Sequence, residues 1–219
     1  MKIWLVGPQG TCKRDIYRLL GADKFKLGKL FTNKPIDDIS YNKYIYKYFP
    51  LETVNEVFEN NSNIFIQTCL NDSENIYTGL DFAEYDENDV FVLTPEQFTA
   101  IPTQYFKDGL VVWLDGGWNW RKNNIVYDEF RYDTDPTYNY NNVEIAEKSF
   151  YKPFYKMMNE LIANNKNVLY FLEESPNRVK AIIKSIALNP KIKAEFVREF
   201  SPCRSVADVL IPKAEINIK

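Results

Sequence analysis

The sequence predicts a three-layer α/β fold, in which a central and mainly parallel sheet is covered by helices. Short apolar runs of strand length alternate along the chain with segments whose apolar residues recur at helical spacing. The first apolar run is followed by a glycine-containing loop and then by a helical pattern. This order is typical of a strand and a helix that meet at the carboxyl edge of a parallel sheet.

Composition limits the functional classes. A chain of 219 residues suits one domain with an insertion, and a content of 45% hydrophobic and 16% aromatic residues supports a substantial core. The net charge of −3 argues against nucleic acid as the main ligand. No apolar run reaches membrane-spanning length and the first residues lack a secretory signal pattern, so no membrane association is expected.

The cysteines and the absence of histidine narrow the chemistry further. Cys12, Cys69 and Cys203 form neither a metal-binding spacing nor an even disulfide set, which indicates a reducing, cytoplasmic setting. The chain has no histidine, so Ser-His and Cys-His catalysis and His-ligated metals are excluded. Phosphoryl transfer is compatible with this composition because it depends on positioning and charge more than on a general base.

The loop after the first strand has the features of a phosphate-binding loop. A buried strand is predicted over residues 2–6 and a helix over 15–21. Between them, Gly7 and Lys13 fit the pattern G-x-x-x-x-G-K-[ST], and Gly10 is an additional glycine. An ordinary strand-to-helix turn with a solvated Lys13 is the alternative. The residues predicted to hold phosphate are Gly7, Gly10, Thr11, Cys12, Lys13, Arg14 and Asp15.

Two positions of this loop depart from the pattern. Cys12 stands where glycine is expected, so its side chain lies where the backbone should approach phosphate, and an unfavourable φ is predicted there. Arg14 stands where a magnesium-binding hydroxyl is expected.

The remaining helices and strands are predicted from the spacing of apolar residues and from the positions of residues that interrupt regular structure. A long helical pattern near the C-terminal half is expected to break at Pro153, and Ser175-Pro176 is a helix start. In order, the predictions are a strand over 24–33, a tyrosine-rich segment over 36–50, a helix over 51–60, strands over 63–68, 74–80 (or a turn), 89–93 and 109–114, a polar segment over 115–142, a helix over 143–164, a strand over 167–172 and a helix over 175–188.

The order of these pieces resembles the nucleoside monophosphate kinases of the guanylate-kinase type. Residues 31–36, FTNKPI, resemble the family segment that opens its monophosphate-binding insertion, and 75–79, NIYTG, resemble its Asn-x-Tyr-Gly turn. The resemblance implies a P-loop kinase fold over residues 1–188. Within it, the insertion is expected over about 34–88 and an arginine-bearing lid over about 115–142, while 189–219 is a C-terminal extension packed on the core.

The resemblance also implies roles for individual residues. Lys13 would contact the β- and γ-phosphates of ATP, and Arg121 and Arg131 would be lid arginines, with ordinary solvated charges as the alternative. Thr94 falls where the family has a carboxylate that binds magnesium, so Asp15 or Glu96 would have to bind Mg²⁺ in a shifted geometry. For Asp15 the favoured alternative is that it does not bind metal and is an acid in the first turn of a helix, stabilised by the helix dipole. The acceptor nucleotide would contact Thr32, Asn33, Gln67 and Tyr77.

Two of these acceptor-side residues change what the site offers. Asn33 replaces an arginine and cannot supply its bidentate charge to a phosphate. Gln67 replaces a glutamate and presents both a donor and an acceptor, which weakens a strict guanine preference. Tyrosines 41, 44, 46 and 48 include candidates for a replacement contact.

Two main functions stay open on the sequence. One is a divergent kinase that transfers the γ-phosphoryl group of ATP, with Mg²⁺, to a nucleoside or deoxynucleoside monophosphate. The other is a catalytically retired kinase-like fold that binds a nucleotide or a protein partner without turnover. A third and weaker one is a P-loop kinase that acts on another small acceptor, since Asn33 and Gln67 leave the acceptor undefined. Lys13, Tyr77 and the lid arginines favour activity, whereas the lost metal positions favour retirement. The sequence does not indicate an oligomeric state.

Overall fold

A four-stranded parallel sheet forms the centre of the computed structural model, which describes residues 1–33, 45–53, 64–68, 77–81, 85–124, 153–164 and 167–192. Its strands, in spatial order, are β6 (Val90–Leu93), β1 (Ile3–Val6), β7 (Leu110–Asp115) and β8 (Val168–Leu172), and every neighbouring pair is parallel. The α/β class is therefore confirmed. The described strands are β1 (Ile3–Val6), β2 (Leu30–Thr32), β3 (Tyr46–Tyr48), β4 (Ile64–Thr68), β5 (Tyr77–Asp81), β6 (Val90–Leu93), β7 (Leu110–Asp115) and β8 (Val168–Leu172).

Helices cover both faces of this sheet because successive side chains of a buried strand point to opposite sides. Ile3 and Leu5 pack on one face with helices α1 (Lys13–Ala22) and α3 (Pro176–Leu188). Trp4 and Val6 pack on the other face with helix α2 (Pro95–Ala100) and the helical residues 153–163. The four residues of β1 are fully buried, so the loop that follows them starts from a rigid position.

Helix α1 is held against α3 at its C-terminal end. Both lysine ammonium groups, those of Lys180 and Lys184, lie 3.2 Å from the carboxylate of Asp23, the C-cap residue of α1. Hydrogen bonds from Lys180 and then Lys184 lower the pKa of the Asp23 carboxyl below its usual value. Helix α3 begins as predicted, with Ser175 as N-cap, accepting from the Arg178 amide, and proline at the first turn.

A second sheet of four strands, in the order β3-β2-β5-β4, lies beyond the core sheet. Strand β2 is parallel to β3 but antiparallel to β5, and β4 is antiparallel to β5. Leu30 of β2 and Leu80 of β5 are buried in the same apolar cluster as Trp4 of the core sheet. The two sheets therefore share a core on this side of the molecule.

The second strand is shorter than predicted. The alternation over 24–33 predicted one continuous strand, but only Leu30–Thr32 forms β2. Residues before it run along the edge of the core sheet instead, where Leu27 makes an isolated parallel bridge with Val90 and the Gly28 amide donates to the Val90 carbonyl at 2.8 Å. Phe25 and Leu27 are thus partly buried against the core of the first sheet before the chain enters the second.

One further difference concerns a helix. Thr94-Pro95 was predicted to close a strand, and it also starts α2, which the sequence did not predict. Of the helix predicted over 143–164, residues 153–163 are helical, and the break predicted at Pro153 stays a prediction because residues 143–152 lie outside the described residues. Residues 54–60 of the helix predicted over 51–60 also lie outside the described part of the chain. Within the described part of the chain, no helix has the length and apolar character needed to cross a membrane.

Candidate functional site

The loop between β1 and α1 passes too close to neighbouring backbone to carry side chains at its two glycines. A Cβ atom on Gly7 would lie 2.2 Å from the carbonyl oxygen of Leu114 in β7. Gly10 has φ +80°, and a Cβ atom there would lie 2.3 Å from the carbonyl oxygen of Arg121. Since real Cβ atoms do not approach backbone this closely, glycine is required at both positions.

Lys13 lies inside this loop rather than in solvent. It is the first residue of α1, and only 8% of its surface is exposed. Its ammonium group donates to the carbonyl oxygens of Gly7 and Pro8 and lies 3.4 Å from the Thr11 hydroxyl. The Thr11 hydroxyl in turn donates to Pro8 at 2.8 Å. A buried cation at a helix N-terminus is an arrangement that attracts an anion.

Cys12 has the unfavourable backbone conformation that the sequence predicted for it. Its φ of 58° and ψ of 21° are left-handed, which costs a non-glycine residue about 1 kcal/mol. Its side chain makes no capping hydrogen bond to α1, although Cys12 is the N-cap residue. Helix α1 therefore begins without a side-chain cap, and contacts from a neighbouring segment also hold the loop.

Some of those contacts come from the helical segment 118–124, which follows β7. Arg121 is 3% exposed, and its Nη1 donates to the carbonyl oxygen of Gln9 at 3.0 Å. Asn124 Nδ2 donates to the carbonyl oxygen of Gly10 at 2.8 Å. This segment forms one wall of the loop, and the predicted lid residue Arg121 donates one hydrogen bond to loop backbone and another, from Nε, to the Gly116 carbonyl at 3.2 Å.

The residues expected to bind Mg²⁺ are dispersed. Asp15 lies in the first turn of α1, with its carboxylate 3.7 Å from Arg18, and Glu96 lies in the first turn of α2. Thr94, at the position of the expected carboxylate, is the N-cap of α2 and accepts from a backbone amide. Among the described residues, no three acidic, cysteine or histidine side chains are grouped to hold a metal. Thr94 offers no carboxylate and Arg14 no hydroxyl at the two expected positions, so a Mg²⁺ ion bound with a nucleotide would be held mainly by phosphate oxygens and water, with at most one or two protein carboxylates.

The predicted acceptor-side residues meet at one end of the second sheet. Asn33 Oδ1 accepts from the Tyr77 amide at 2.6 Å, and the Asn33 amide donates to the Tyr77 carbonyl at 3.3 Å. Thr32 is buried and pairs with Thr78 of β5, which in turn pairs with Gln67 of β4. Three segments that are distant in sequence, those of Thr32 and Asn33, of Gln67 and of Tyr77, are therefore brought together, and Asn33 forms the last contact between β2 and β5.

Gln97 joins the two sheets and was not identified from the sequence. Its Oε1 accepts from the Thr94 amide at 3.0 Å, and its Nε2 donates to the hydroxyls of Thr78 at 3.0 Å and Tyr46 at 3.5 Å. The spacing of Thr94 and Gln97 is that of a capping box, which was the available signal. A small pocket lies beside it, with about 10 Å³ of space, roughly enough for one water molecule. It is lined by Leu30, Thr78, Gly79, Leu80, Leu93, Gln97 and Ile101.

Replacing Gln97 with leucine is expected to destabilise the fold by about 1–3 kcal/mol. The change keeps the side chain's approximate volume but removes the acceptor for the Thr94 amide and the donor to Thr78, both at a buried position. Urea unfolding followed by circular dichroism measures the effect. Gln104→Leu, at an exposed position, is the control. Unfolding of Gln97→Leu at the wild-type urea concentration would contradict a bridging role.

Asp115 is a second residue that the sequence analysis did not single out. It ends β7 and is 6% exposed. Its Oδ1 accepts from the Gly116 amide at 2.8 Å, and its Oδ2 accepts from the Tyr155 hydroxyl at 3.2 Å. Burial raises the pKa of the nearby Tyr170, and the Asp115 carboxylate raises it further. The signal was an acid directly after an apolar strand and before two glycines.

Some predicted residues lie outside the described part of the chain. Arg131, Tyr41 and Tyr44 are among them, and of Gln67 only the backbone position in β4 is described. Tyr48 is 49% exposed at the end of β3, whereas Tyr46 is half-buried and contacts Gln97.

Comparison with known proteins shows a similarity of structure without a similarity of sequence. No protein-family model matches the chain, and no curated protein sequence matches it. A solved structure of the guanylate kinase from Anaplasma phagocytophilum is similar, with a TM-score of 0.51 over 94% of this chain and 95% of that chain, at 8% sequence identity. At this identity the similarity shows a guanylate-kinase-like fold and not an activity.

Proposed function

We propose that this protein is a nucleoside monophosphate kinase, in which the loop over residues 7–15 binds the phosphates of ATP and the γ-phosphoryl group passes to a nucleoside or deoxynucleoside monophosphate. In this reaction the bond from the γ-phosphorus to the β–γ bridging oxygen breaks. A phosphate oxygen of the acceptor forms the new bond, so that two diphosphates result. The guanylate-kinase-like fold supports the proposal.

The observation that carries the proposal is the placement of Lys13. Its ammonium group is buried within the loop, at the N-terminus of α1, and bonded to the carbonyl oxygens of Gly7 and Pro8. A cation held there adds a full positive charge to the partial charge of the helix terminus. Such a combination suits the β- and γ-phosphates of a nucleotide, because these groups carry several negative charges and accept several hydrogen bonds.

The second sheet supports an acceptor site. Thr32, Asn33 and Tyr77 meet at one end of this sheet, where the Asn33 side chain accepts from the Tyr77 amide and Thr32 pairs with Thr78. We propose that the acceptor's phosphate lies near Tyr77 and that Gln67 contributes to recognition of its base.

A second function, in which the chain binds a nucleotide or a protein partner without turnover, has its own support. The guanidinium group of Arg121 is engaged by loop backbone, and the described acidic side chains do not group into a metal site. Phosphoryl transfer ordinarily needs arginines and a metal ion that neutralise the transferring group. A protein that binds nucleotide but lacks such arginines and a metal ion would keep its affinity for the nucleotide and lose the rate of phosphoryl transfer.

The decisive experiment supplies ATP and Mg²⁺ with each common ribo- and deoxyribonucleoside monophosphate in turn and measures the diphosphates formed. Under the kinase proposal, one or a few acceptors turn over, and Lys13→Ala abolishes the turnover. Nucleotide binding by calorimetry with no turnover for any acceptor would establish the binding function instead. Absence of both binding and turnover would overturn both nucleotide functions.

A further inference from the structure

The side chain of Arg121 is fixed at three points around the loop. Its Nη1 donates to the Gln9 carbonyl at 3.0 Å, and its Nε donates to the Gly116 carbonyl at 3.2 Å. Its guanidinium carbon also lies 5.1 Å from the centre of the Trp118 ring, within the range of a cation–π contact. Two donors in a planar fork, with an aromatic ring on one face, define both the position and the orientation of this group.

The carbonyl oxygens of four consecutive loop residues, 7–10, all accept hydrogen bonds from side chains. Because each trans peptide is planar, with its N–H opposite its C=O, the direction of a carbonyl determines the direction of the amide in the same peptide. For the carbonyls of Pro8, Gln9 and Gly10 these are the amides of Gln9, Gly10 and Thr11, whereas the Gly7 carbonyl has no such partner because Pro8 lacks an N–H. The amides are the groups with which such a loop binds an anion. The donors to these carbonyls are Lys13 for Gly7 and Pro8, Arg121 for Gln9, and Asn124 for Gly10.

The start of the segment that carries Arg121 and Asn124 is fastened to the core sheet. The Gly116 amide donates to the Asp115 carboxylate at 2.8 Å, and the Gly117 amide donates to Glu173 Oε1 at 2.9 Å. The Glu173 amide itself donates to the Asp115 carbonyl at 2.9 Å. The segment therefore begins at a defined position beside the ends of β7 and β8, and this fixes the point from which the two side chains reach the loop.

We infer that Arg121 and Asn124 are positioning residues, which hold residues 9–10 so that the loop amides are arranged for phosphate before a nucleotide arrives. This role presupposes the proposed nucleotide binding at the loop. It differs from the role of a lid arginine because the guanidinium acts through the loop backbone and not on the transferring phosphate. Preorganisation of this kind raises affinity, because binding then does not have to supply the free energy that orders the loop.

Affinity for two probes, ATP and inorganic tripolyphosphate, tests the inference by calorimetry. Arg121→Lys keeps the charge but loses the planar fork, so it is expected to bind both probes about tenfold more weakly, and Arg121→Gln is expected to be weakened to a similar degree. Asn124→Ala removes a single neutral donor, for which about a fivefold loss is expected. Asn123→Ala, at an adjacent exposed position, is the matched control and should bind like the wild type.

A second readout follows the loop without any nucleotide. Cys12 lies in the loop with a left-handed backbone and a half-buried side chain, so its alkylation rate depends on how firmly the loop is held. Peptide mapping separates Cys12 from Cys69 and Cys203. In the ligand-free protein, Arg121→Lys and Asn124→Ala are expected to change the Cys12 rate severalfold, while Asn123→Ala leaves it unchanged.

The possible outcomes separate this inference from the proposed function. Wild-type affinity in both Arg121→Lys and Asn124→Ala would overturn the positioning role. The role would also be overturned if Arg121→Gln loses affinity while Arg121→Lys binds like the wild type, because a positive charge that suffices by itself indicates direct contact with phosphate. An unchanged Cys12 rate in folded variants would also overturn it. If the wild type binds neither probe, the proposed nucleotide binding fails, and the alkylation rates still report whether the two side chains hold the loop.

Discussion

Replacement of Lys13 by methionine is expected to weaken ATP binding by about a hundredfold or more. The change keeps most of the buried stem and removes the ammonium group, which lies in the loop against the carbonyls of Gly7 and Pro8. A charge-assisted hydrogen bond to phosphate contributes about 1.5–3 kcal/mol, and the ammonium group offers more than one donor. The sum corresponds to about two orders of magnitude in the dissociation constant.

Isothermal titration with ATP measures this loss, and thermal unfolding shows whether the variant is folded. Lys107→Met is a suitable control, since Lys107 is exposed and precedes β7, at the edge of the sheet opposite the loop. Wild-type affinity in a folded Lys13→Met protein would mean that this loop does not hold phosphate, and the proposed function would then lose the observation that carries it.

Gly10→Ala is expected to have the largest effect on stability, about 2–4 kcal/mol, together with loss of ATP binding. Two costs add at this position. Alanine would have to keep φ near +80°, and its Cβ atom would lie 2.3 Å from the Arg121 carbonyl oxygen and 2.8 Å from its carbon. The contact is with backbone, so it is relieved only if the loop and the segment 118–124 move apart, and this movement also breaks the Asn124 hydrogen bond to Gly10.

Urea unfolding compares Gly10→Ala with Gly117→Ala. The control glycine lies in the same part of the molecule, but a Cβ atom there would meet only the flexible side chain of Glu173 at 3.2 Å. A small change in unfolding midpoint is expected for the control and a large one for Gly10→Ala. Equal midpoints for Gly10→Ala and the wild type would show that the loop is not packed against Arg121 as described.

The elements that sequence analysis predicted well are those that rest on local pattern. The strand over Ile3–Val6, the loop with Lys13 and the helix after it follow from a short apolar run, two glycines and helical spacing. The helix start at Ser175 follows from a capping residue and a proline. The left-handed conformation of Cys12 was predicted because a non-glycine residue stands at a position that calls for glycine.

Contacts between distant segments were not predicted. Arg121 reaches Gln9 across 112 residues of sequence, and Asn124 reaches Gly10 across 114. Arg121 was expected to face phosphate, as its charge suggests, but the structure gives its guanidinium group to backbone carbonyls. The spacing of Thr94 and Gln97 in the sequence is that of a capping box. The contact of Gln97 Nε2 with Thr78, which lies in the second sheet, could not be predicted from that spacing.

The amino-acid sequence by itself determined the α/β class and the position of the glycine-containing loop between β1 and α1, while the binding of phosphate by that loop stays a prediction. These depend on periodicity, glycine placement and helix capping, all of which act over a few neighbouring residues. Only the tertiary structure decided the short second strand, the mixed second sheet and the wall that Arg121 and Asn124 build beside the loop. Side-chain chemistry states which bonds a residue is able to make, but its partners are chosen by which backbone groups the fold brings within about 3 Å.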